Sequence, residues 1–187
     1  MTDAQRLKSL SATGRTVFAL RSLRLLWRLR PETTKIAAKR MVDRGLLHRV
    51  ARGYVSLQHD FDPKELANLI ISPSYVSLFT ALALHGVSFQ SRRTVDSVAL
   101  LTYRRRAAGL EYRFFAMKPS LFYNLEGVRF REGVAVAEPE RALLDCLYFG
   151  LLPDLDNPDK VNSERMAAIA EFYPAAVSRR ALKAVAA

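Results

Sequence analysis

Proline and glycine divide residues 20–57 into two helical patterns followed by a hairpin pattern. Pro31 ends the first helix, because the residue before a proline is disfavoured in helical conformation, and proline itself suits a helix start. Gly45 is typical of the residue that closes a helix, and Gly53 lies in a tight turn between two short β-prone runs. The predicted order is therefore helix, turn, helix and hairpin.

The spacing of apolar residues gives each predicted helix an inward face. In the first helix, over residues 20–29, Leu23, Leu26 and Trp27 recur at three- and four-residue spacing and should face the core. The second helix, over residues 33–44, has an apolar face of its own. This layout predicts a winged helix-turn-helix, in which the second helix enters the major groove of DNA and the hairpin contacts the backbone or minor groove.

Positive charge is concentrated near the amino end of the chain. Residues 1–56 hold 13 Lys and Arg against 3 Asp and Glu, whereas residues 57–187 hold 16 against 15. A strongly basic module is typical of a surface that binds a polyanion. With 187 residues, 50% of them hydrophobic, the chain is long enough for two small domains. We predict a winged helix-turn-helix DNA-binding domain over residues 1–57 and a second domain, with a different role, over residues 58–187.

The second domain is predicted to combine helices with a small sheet. Segments 95–102, 111–118 and 128–136 are rich in Val, Leu, Phe and Tyr and are separated by turn residues, which indicates antiparallel strands. Helical patterns flank them, one of them over residues 77–85 with Ser77 as its predicted cap. The sequence thus predicts an α+β protein whose C-terminal part is a mixed domain with a small antiparallel sheet and flanking helices.

The second predicted helix and the hairpin hold the candidate DNA-binding residues. Short hydroxyl and lysine side chains in the first turns of such a helix reach base edges and phosphates. Arginines beside the hairpin turn meet phosphates or enter a narrow minor groove. Taken singly, each cation is also typical of a solvated surface. The predicted groove-reading residues are Thr33, Thr34, Lys35 and Lys39, with Arg40 on phosphate from the helix flank and Arg49 and Arg52 acting from the wing.

A second basic run lies at a predicted hairpin tip in the C-terminal domain. It consists of Arg104, Arg105 and Arg106. Charge runs are usually solvated, so one interpretation is a plain exposed loop. Two others are an extension of the DNA-binding surface and a contact for an acidic protein partner.

No arrangement of residues typical of an enzyme occurs in the sequence. It has no Gly-x-Ser-x-Gly motif, no phosphate-binding loop and no Cys/His metal spacing. The three histidines are scattered, and Cys146 lies in an apolar helical pattern that indicates a buried residue. Glu138 and Glu140 suit the start of a helix, and Asp145 is four residues from Arg141, a pairing distance. We expect no catalytic activity, no metal site and no cofactor.

The hydropathy pattern bears on location. The sequence lacks a run of about 18 apolar residues, the length of a membrane span. Its amino end also lacks the apolar stretch of a secretory signal. We therefore expect a cytoplasmic protein.

Three phrases of the sequence are similar to those of a known family. They are GLLHRVARGYV at residues 45–55, SYVSLFTALALHG at residues 74–86 and VAEPERALLD at residues 136–145. In this order they resemble the AbiEi family of antitoxins and transcriptional regulators from type IV toxin-antitoxin systems. The resemblance implies an N-terminal winged helix that represses its own operon by binding inverted repeats in double-stranded DNA. It also implies a C-terminal domain that counters a nucleotidyltransferase toxin encoded next door.

Two other functions remain open from the sequence. One is a nucleic-acid-processing enzyme whose N-terminal module delivers DNA, although the sequence shows no acid or metal cluster for it. The other is a solitary regulator in which the C-terminal domain acts as a protein-interaction module. The oligomeric state is open as well.

Overall fold

The computed structural model describes residues 1–90 and 93–185. The chain divides into two compact units, Met1–Ile70 and Ile71–Ala187. The α+β class predicted from the sequence is confirmed, because helices accompany a small antiparallel sheet in the first unit and a larger mixed sheet in the second. Each unit is described by itself below.

The first unit contains four helices and three short strands. The sheet has the order β1-β3-β2, and both neighbouring pairs are antiparallel. The hairpin formed by the second and third strands turns at Arg52 and Gly53, and Gly53 has a φ of +90° that favours glycine. The elements are α1 (Asp3–Ser11), β1 (Val17–Ala19), α2 (Leu20–Trp27), α3 (Pro31–Asp43), β2 (His48–Ala51), β3 (Tyr54–Ser56) and α4 (Pro63–Ile70).

The apolar sides of α2 and α3 pack with the sheet to form the core of this unit. Leu23 and Trp27, one turn apart on α2, are 0% and 3% exposed, as the sequence predicts. The prediction for Leu26 is wrong, because its side chain is 38% exposed. Helix α2 has only eight residues, and the single i, i+4 stripe that it buries does not include Leu26.

Helix α4 joins this unit through a buried carboxylate. Glu65 is 6% exposed, and its Oε2 accepts hydrogen bonds from the backbone N–H groups of Thr16 and Val17 and from the Thr16 hydroxyl, at 2.8–3.1 Å. The edge of β1 is thereby held to α4, which lies beyond residue 57. The compact unit includes α4 and extends to Ile70.

The second unit is built around a six-stranded sheet with the order β6-β7-β5-β4-β9-β8. Its strands are β4 (Ser74–Val76), β5 (Thr94–Ala99), β6 (Tyr103–Ala107), β7 (Leu110–Ala116), β8 (Val128–Arg131) and β9 (Val134–Ala137). Its helices are α5 (Leu78–Leu84), α6 (Pro119–Phe122), α7 (Pro139–Tyr148), α8 (Ser163–Ala170) and α9 (Ala175–Val185), with a 3₁₀ turn at Pro158–Lys160. Helices α7, α8 and α9 and the sheet share one apolar core.

The prediction of a purely antiparallel sheet is wrong for this unit. Strands β5 and β7 are parallel neighbours, and β4 and β9 also pair in parallel. The physical reason for the β5–β7 pair is the arginine-rich strand β6, which the sequence pattern does not identify as a strand. This strand runs back along the sheet edge and pairs antiparallel with β7, so that β7 re-enters beside β5 in the same direction.

The same strand corrects the predicted place of the basic run. Arg104, Arg105 and Arg106 lie within β6, whereas the turn of the β6–β7 hairpin is at Ala108 and Gly109. The run is therefore in an extended strand at the sheet edge rather than at a hairpin tip. An edge strand tolerates charged side chains because its outer side faces solvent.

Candidate nucleic-acid interface

Helix α3 presents a hydrophilic side to solvent. Thr34 does not lie on it, contrary to its predicted placement. It is 1% exposed, and its hydroxyl donates to the Arg30 carbonyl at 2.9 Å. Consecutive helical residues are about 100° apart around the axis, and this rotation turns Thr34 into the core. The other predicted residues of this helix are exposed: Thr33, Lys35, Lys39 and Arg40.

A three-residue turn fixes the angle between α2 and α3. Arg28, just after α2, has a left-handed conformation with φ 54° and ψ 44°. Its N–H and that of Leu29 bond to the carbonyl of Arg24 in the last turn of α2. Arg30 is extended and precedes Pro31, the first residue of α3. The turn is short because Arg28, which ends α2, lies only three residues before Pro31, which begins α3.

The β2–β3 hairpin directs Arg49 toward the side of the sheet where α3 packs. Arg49 lies opposite Val55 across the two strands, and directly opposed residues project from the same face of a sheet. Val55 is in the core with Met41 of α3, whereas Arg49, on the edge strand, is exposed. Arg52 is exposed at the hairpin turn.

The basic residues of this unit fall into two groups by their partners. Arg6 and Arg44 both pair with Asp3, at 2.8 and 2.9 Å between nitrogen and oxygen. Arg21 donates to the Leu69 carbonyl at 2.7 Å. These three arginines stabilise the unit itself. Over residues 1–90 and 93–185, no ion pair involves Lys35, Lys39, Arg40 or Arg49.

Two residue types on the exposed side of α3 were not selected from the sequence. Glu32 and Asp43 are exposed acids, and Ile36 is an apolar side chain that is 52% exposed. The residue types typical of a DNA-binding helix are cations and hydroxyls, so the sequence pattern did not predict them. The available signal was their i, i+4 and i+11 spacing from Glu32, which places all three on one stripe of the helix.

In the second unit, the arginine run occupies an edge strand. Arg104 and Arg106 are exposed and Arg105 is partly buried. Arg106 lies opposite Glu111 on β7. Charged side chains on a sheet edge discourage pairing with strands of other molecules, so the run has a structural explanation beside the predicted contact with DNA or a protein partner.

A buried polar cluster lies inside the second unit, formed by Tyr75, Ser77, Arg141, Asp145 and Tyr173. The Asp145 carboxylate accepts hydrogen bonds from the three hydroxyl groups at 2.5–3.1 Å and lies 3.3 Å from Nε of Arg141. Ser77 precedes α5 but makes no capping bond with its side chain, contrary to prediction, because its hydroxyl donates to Asp145. Arg141 and Asp145 are 0% exposed, so the cluster is closed to a substrate.

Burial changes the acid-base properties of this cluster. The pKa of Tyr75 and that of Tyr173 are raised well above the usual tyrosine value, first by burial and then by the charge of Asp145. Burial also raises the pKa of Asp145, although the Arg141 guanidinium and the hydroxyl donors act in the opposite direction. The sequence identified only the Arg141–Asp145 pair, because Tyr75 lies 70 residues from Asp145 and Tyr173 lies 28.

The histidines are less scattered than the sequence indicates. The rings of His48 and His59 lie in contact, with centroids 3.8 Å apart, while Nε2 of His85 is 3.0 Å from the Ala137 carbonyl oxygen. Within the described part of the chain, no group of three or more His, Cys, Asp or Glu residues is arranged to hold a metal ion. Cys146 is free and buried. None of the described helices has the length and apolar character of a membrane span.

No family model matches this chain, and no curated protein matches it.

Proposed function

We propose that the chain is a DNA-binding transcriptional regulator of the AbiEi antitoxin type, which represses its own operon through a winged helix-turn-helix. The observation that carries this proposal is the set of exposed cations on α3 and β2 that pair with no carboxylate in the described chain. They are Lys35, Lys39, Arg40 and Arg49. Exposed cations of this kind exchange counterions for phosphates when a duplex binds.

The arrangement of the elements supports the same proposal. Helix α3 is the second helix of a pair joined by a three-residue turn, and the β2–β3 hairpin follows it. In the winged helix-turn-helix layout this helix enters the major groove while the hairpin reaches the backbone or minor groove. Arg49 projects from the side of the sheet where α3 packs, so the helix and the hairpin would contact the same duplex. Inverted repeats would bind one copy of the chain at each half-site.

An electrophoretic mobility-shift assay with the DNA upstream of the chain's own gene tests this function. Lys35→Ala/Lys39→Ala should bind at least about tenfold more weakly, since each good base contact is worth about 1–3 kcal/mol. If these lysines contact phosphates instead, the salt dependence of log K should fall by about two. The matched control is Lys8→Ala/Arg15→Ala, which removes two exposed cations outside α3 and the hairpin. Equal losses in both variants would contradict a specific interface.

For the second unit we propose the antitoxin role that the AbiEi resemblance implies. The phrases at residues 74–86 and 136–145 belong to one folded region, because β4 pairs with β9 and Ser77 donates to Asp145. Co-expression with the product of a neighbouring nucleotidyltransferase gene tests the role. The full chain should restore growth, and a variant without residues 71–187 should not. Equal rescue by the truncated chain would indicate that repression alone accounts for the effect.

A further inference from the structure

The exposed side of α3 is organised in stripes. Glu32, Ile36, Lys39 and Asp43 follow one another at intervals of four, three and four residues, which places them on one line along the helix. Lys35 and Arg40 lie on opposite flanks of this line, because each residue advances about 100° around the axis. The middle of the exposed side therefore combines two acids, an isoleucine and a lysine, whereas Lys35 and Arg40 on its flanks are both cations.

Apart from Lys39, the residues on the central stripe do not suit contact with phosphates. Glu32 and Asp43 carry negative charge, which phosphates repel, and Ile36 has no polar group to offer them. Base edges in the major groove suit these side chains better. A carboxylate accepts from the cytosine amino group, and an apolar side chain contacts the C5-methyl group of thymine. The flanking Lys35 and Arg40 match the phosphates on either side of a groove.

We infer that Ile36 determines part of the sequence specificity of this chain, by packing on the C5-methyl group of a thymine in the major groove. This inference rests on the proposed function. It adds a base preference, thymine at one position of each half-site, that neither the fold nor the charge pattern provides. Ile36 is 52% exposed, so the contact needs no rearrangement of α3.

The experiment uses the full chain and a randomised DNA duplex library as the probe. Bound sequences are enriched, and each thymine of the selected site is then replaced in turn by deoxyuridine, which lacks only the C5-methyl group. With the wild-type chain, we expect one replacement in each half-site to weaken binding about fourfold, the effect of one buried methyl group. With Ile36→Ala, the thymine and deoxyuridine duplexes should bind equally.

Leu25→Ala is the matched control, because it shortens an exposed apolar side chain on α2, where 71% of Leu25 is accessible. This variant should retain the preference for thymine over deoxyuridine. A wild-type chain that is indifferent to every replacement would overturn the inference, as would Ile36→Ala with the preference intact. Circular dichroism establishes that both variants remain folded. If the wild-type chain enriches no sequence at all, the proposed DNA binding fails together with the inference.

Discussion

Tyr173 illustrates how a single hydroxyl contributes to the second unit at two levels, hydrogen bonding and proton binding. Its hydroxyl donates to Oδ1 of Asp145 at 2.5 Å, and the residue is 5% exposed. Removing one donor from a buried carboxylate leaves an acceptor without its partner, which is costly because water cannot replace the lost bond. Burial and the charge of Asp145 also keep the pKa of Tyr173 well above its usual value.

Tyr173→Phe should therefore have an effect that depends on pH. At neutral pH we expect the free energy of unfolding to fall by about 1.5–3 kcal/mol, the value of a hydrogen bond to a charged group. Above about pH 10 an unfolded chain loses the tyrosine proton, whereas the folded chain with its raised pKa retains it. Because of this tyrosine, the free energy of unfolding of the wild-type chain thus falls by about 1.4 kcal/mol per pH unit. Phenylalanine has no proton to lose, so the gap between variant and wild type should narrow.

Urea denaturation at neutral pH and in steps above pH 10 measures this gap. Tyr123→Phe provides the control, since Tyr123 is 63% exposed and lies outside the buried cluster. It should track the wild-type chain at every pH. A gap for Tyr173→Phe that stays constant with pH would show that the hydroxyl is not held in its protonated form by the fold.

Residues of the candidate interface differ in how well the sequence predicts them. Lys35 and Lys39 were found because cations near the start of a helix after a turn are a recognised pattern. Thr34 was assigned to the same surface although its position around the helix axis places it in the core. Ile36 was passed over, because an exposed isoleucine is ordinary in a protein surface and becomes informative only when its neighbours on the helix are known.

The backbone of the turn between α2 and α3 adopts an unfavourable conformation at one residue. Arg28 has φ 54°, a left-handed conformation that costs a residue with a Cβ atom roughly 1–2 kcal/mol. Glycine adopts it freely, although a glycine also gains freedom in the unfolded chain. The arginine is therefore unfavourable for the stability of the turn, and its positive charge beside α3 is consistent with the proposed contact with DNA.

Arg28→Gly should stabilise the chain by about 0.5–1 kcal/mol, the left-handed cost less the entropy that glycine adds to the unfolded state. Arg24→Gly removes the same charge from the interior of α2 and should destabilise it by about 1 kcal/mol. Thermal and urea denaturation compare the two variants. A gain in stability for Arg28→Gly together with a loss for Arg24→Gly would support the account of the turn. A loss of stability in Arg28→Gly would mean that the arginine side chain makes interactions worth more than the backbone cost.

Helices of this chain are easier to predict than its strand pairs, for a physical reason. Helices α1, α3 and α7 are specified by apolar spacing and by end residues within a few positions of one another, so a local pattern contains the information. The parallel pairing of β5 and β7 depends on β6, and the arginines of β6 lack the apolar pattern that predicts a strand. Pairing of β4 with β9 joins residues 60 positions apart in the register Val76–Val136, and no local pattern specifies it.

In the molecule as a whole, charge is divided between the two units. Met1–Ile70 contains 14 Lys and Arg against 6 Asp and Glu, and Ile71–Ala187 contains 15 against 12. A net charge of this sign and size in 70 residues suits binding to a polyanion. One of the acids that residues 58–70 add to the first unit is Glu65. Its carboxylate accepts hydrogen bonds from the backbone N–H groups of Thr16 and Val17 at β1. Folding and the proposed DNA binding of this unit should therefore be separable from the rest of the chain only if α4 is retained.

A pair of truncations tests this division. A fragment of residues 1–70 should unfold cooperatively in urea and bind operator DNA with nearly the affinity of the full chain. A fragment of residues 1–57 lacks Glu65, which leaves the N–H groups of Thr16 and Val17 and the side of β1 without their partner. Its free energy of unfolding should be lower by at least about 2 kcal/mol, because several hydrogen bonds to a charged group are lost.

Binding by the longer fragment also decides the role of the arginine run in β6. If about six cations of the first unit meet phosphates, affinity should fall by roughly three decades between 50 and 200 mM salt, with the same slope in the fragment and the full chain. A shallower slope in the fragment would show that cations of the second unit, among which Arg104, Arg105 and Arg106 are the predicted ones, also contact DNA, because phosphate contacts add to the slope one by one. Equal slopes leave that edge strand to stabilise the second unit or to bind a protein partner.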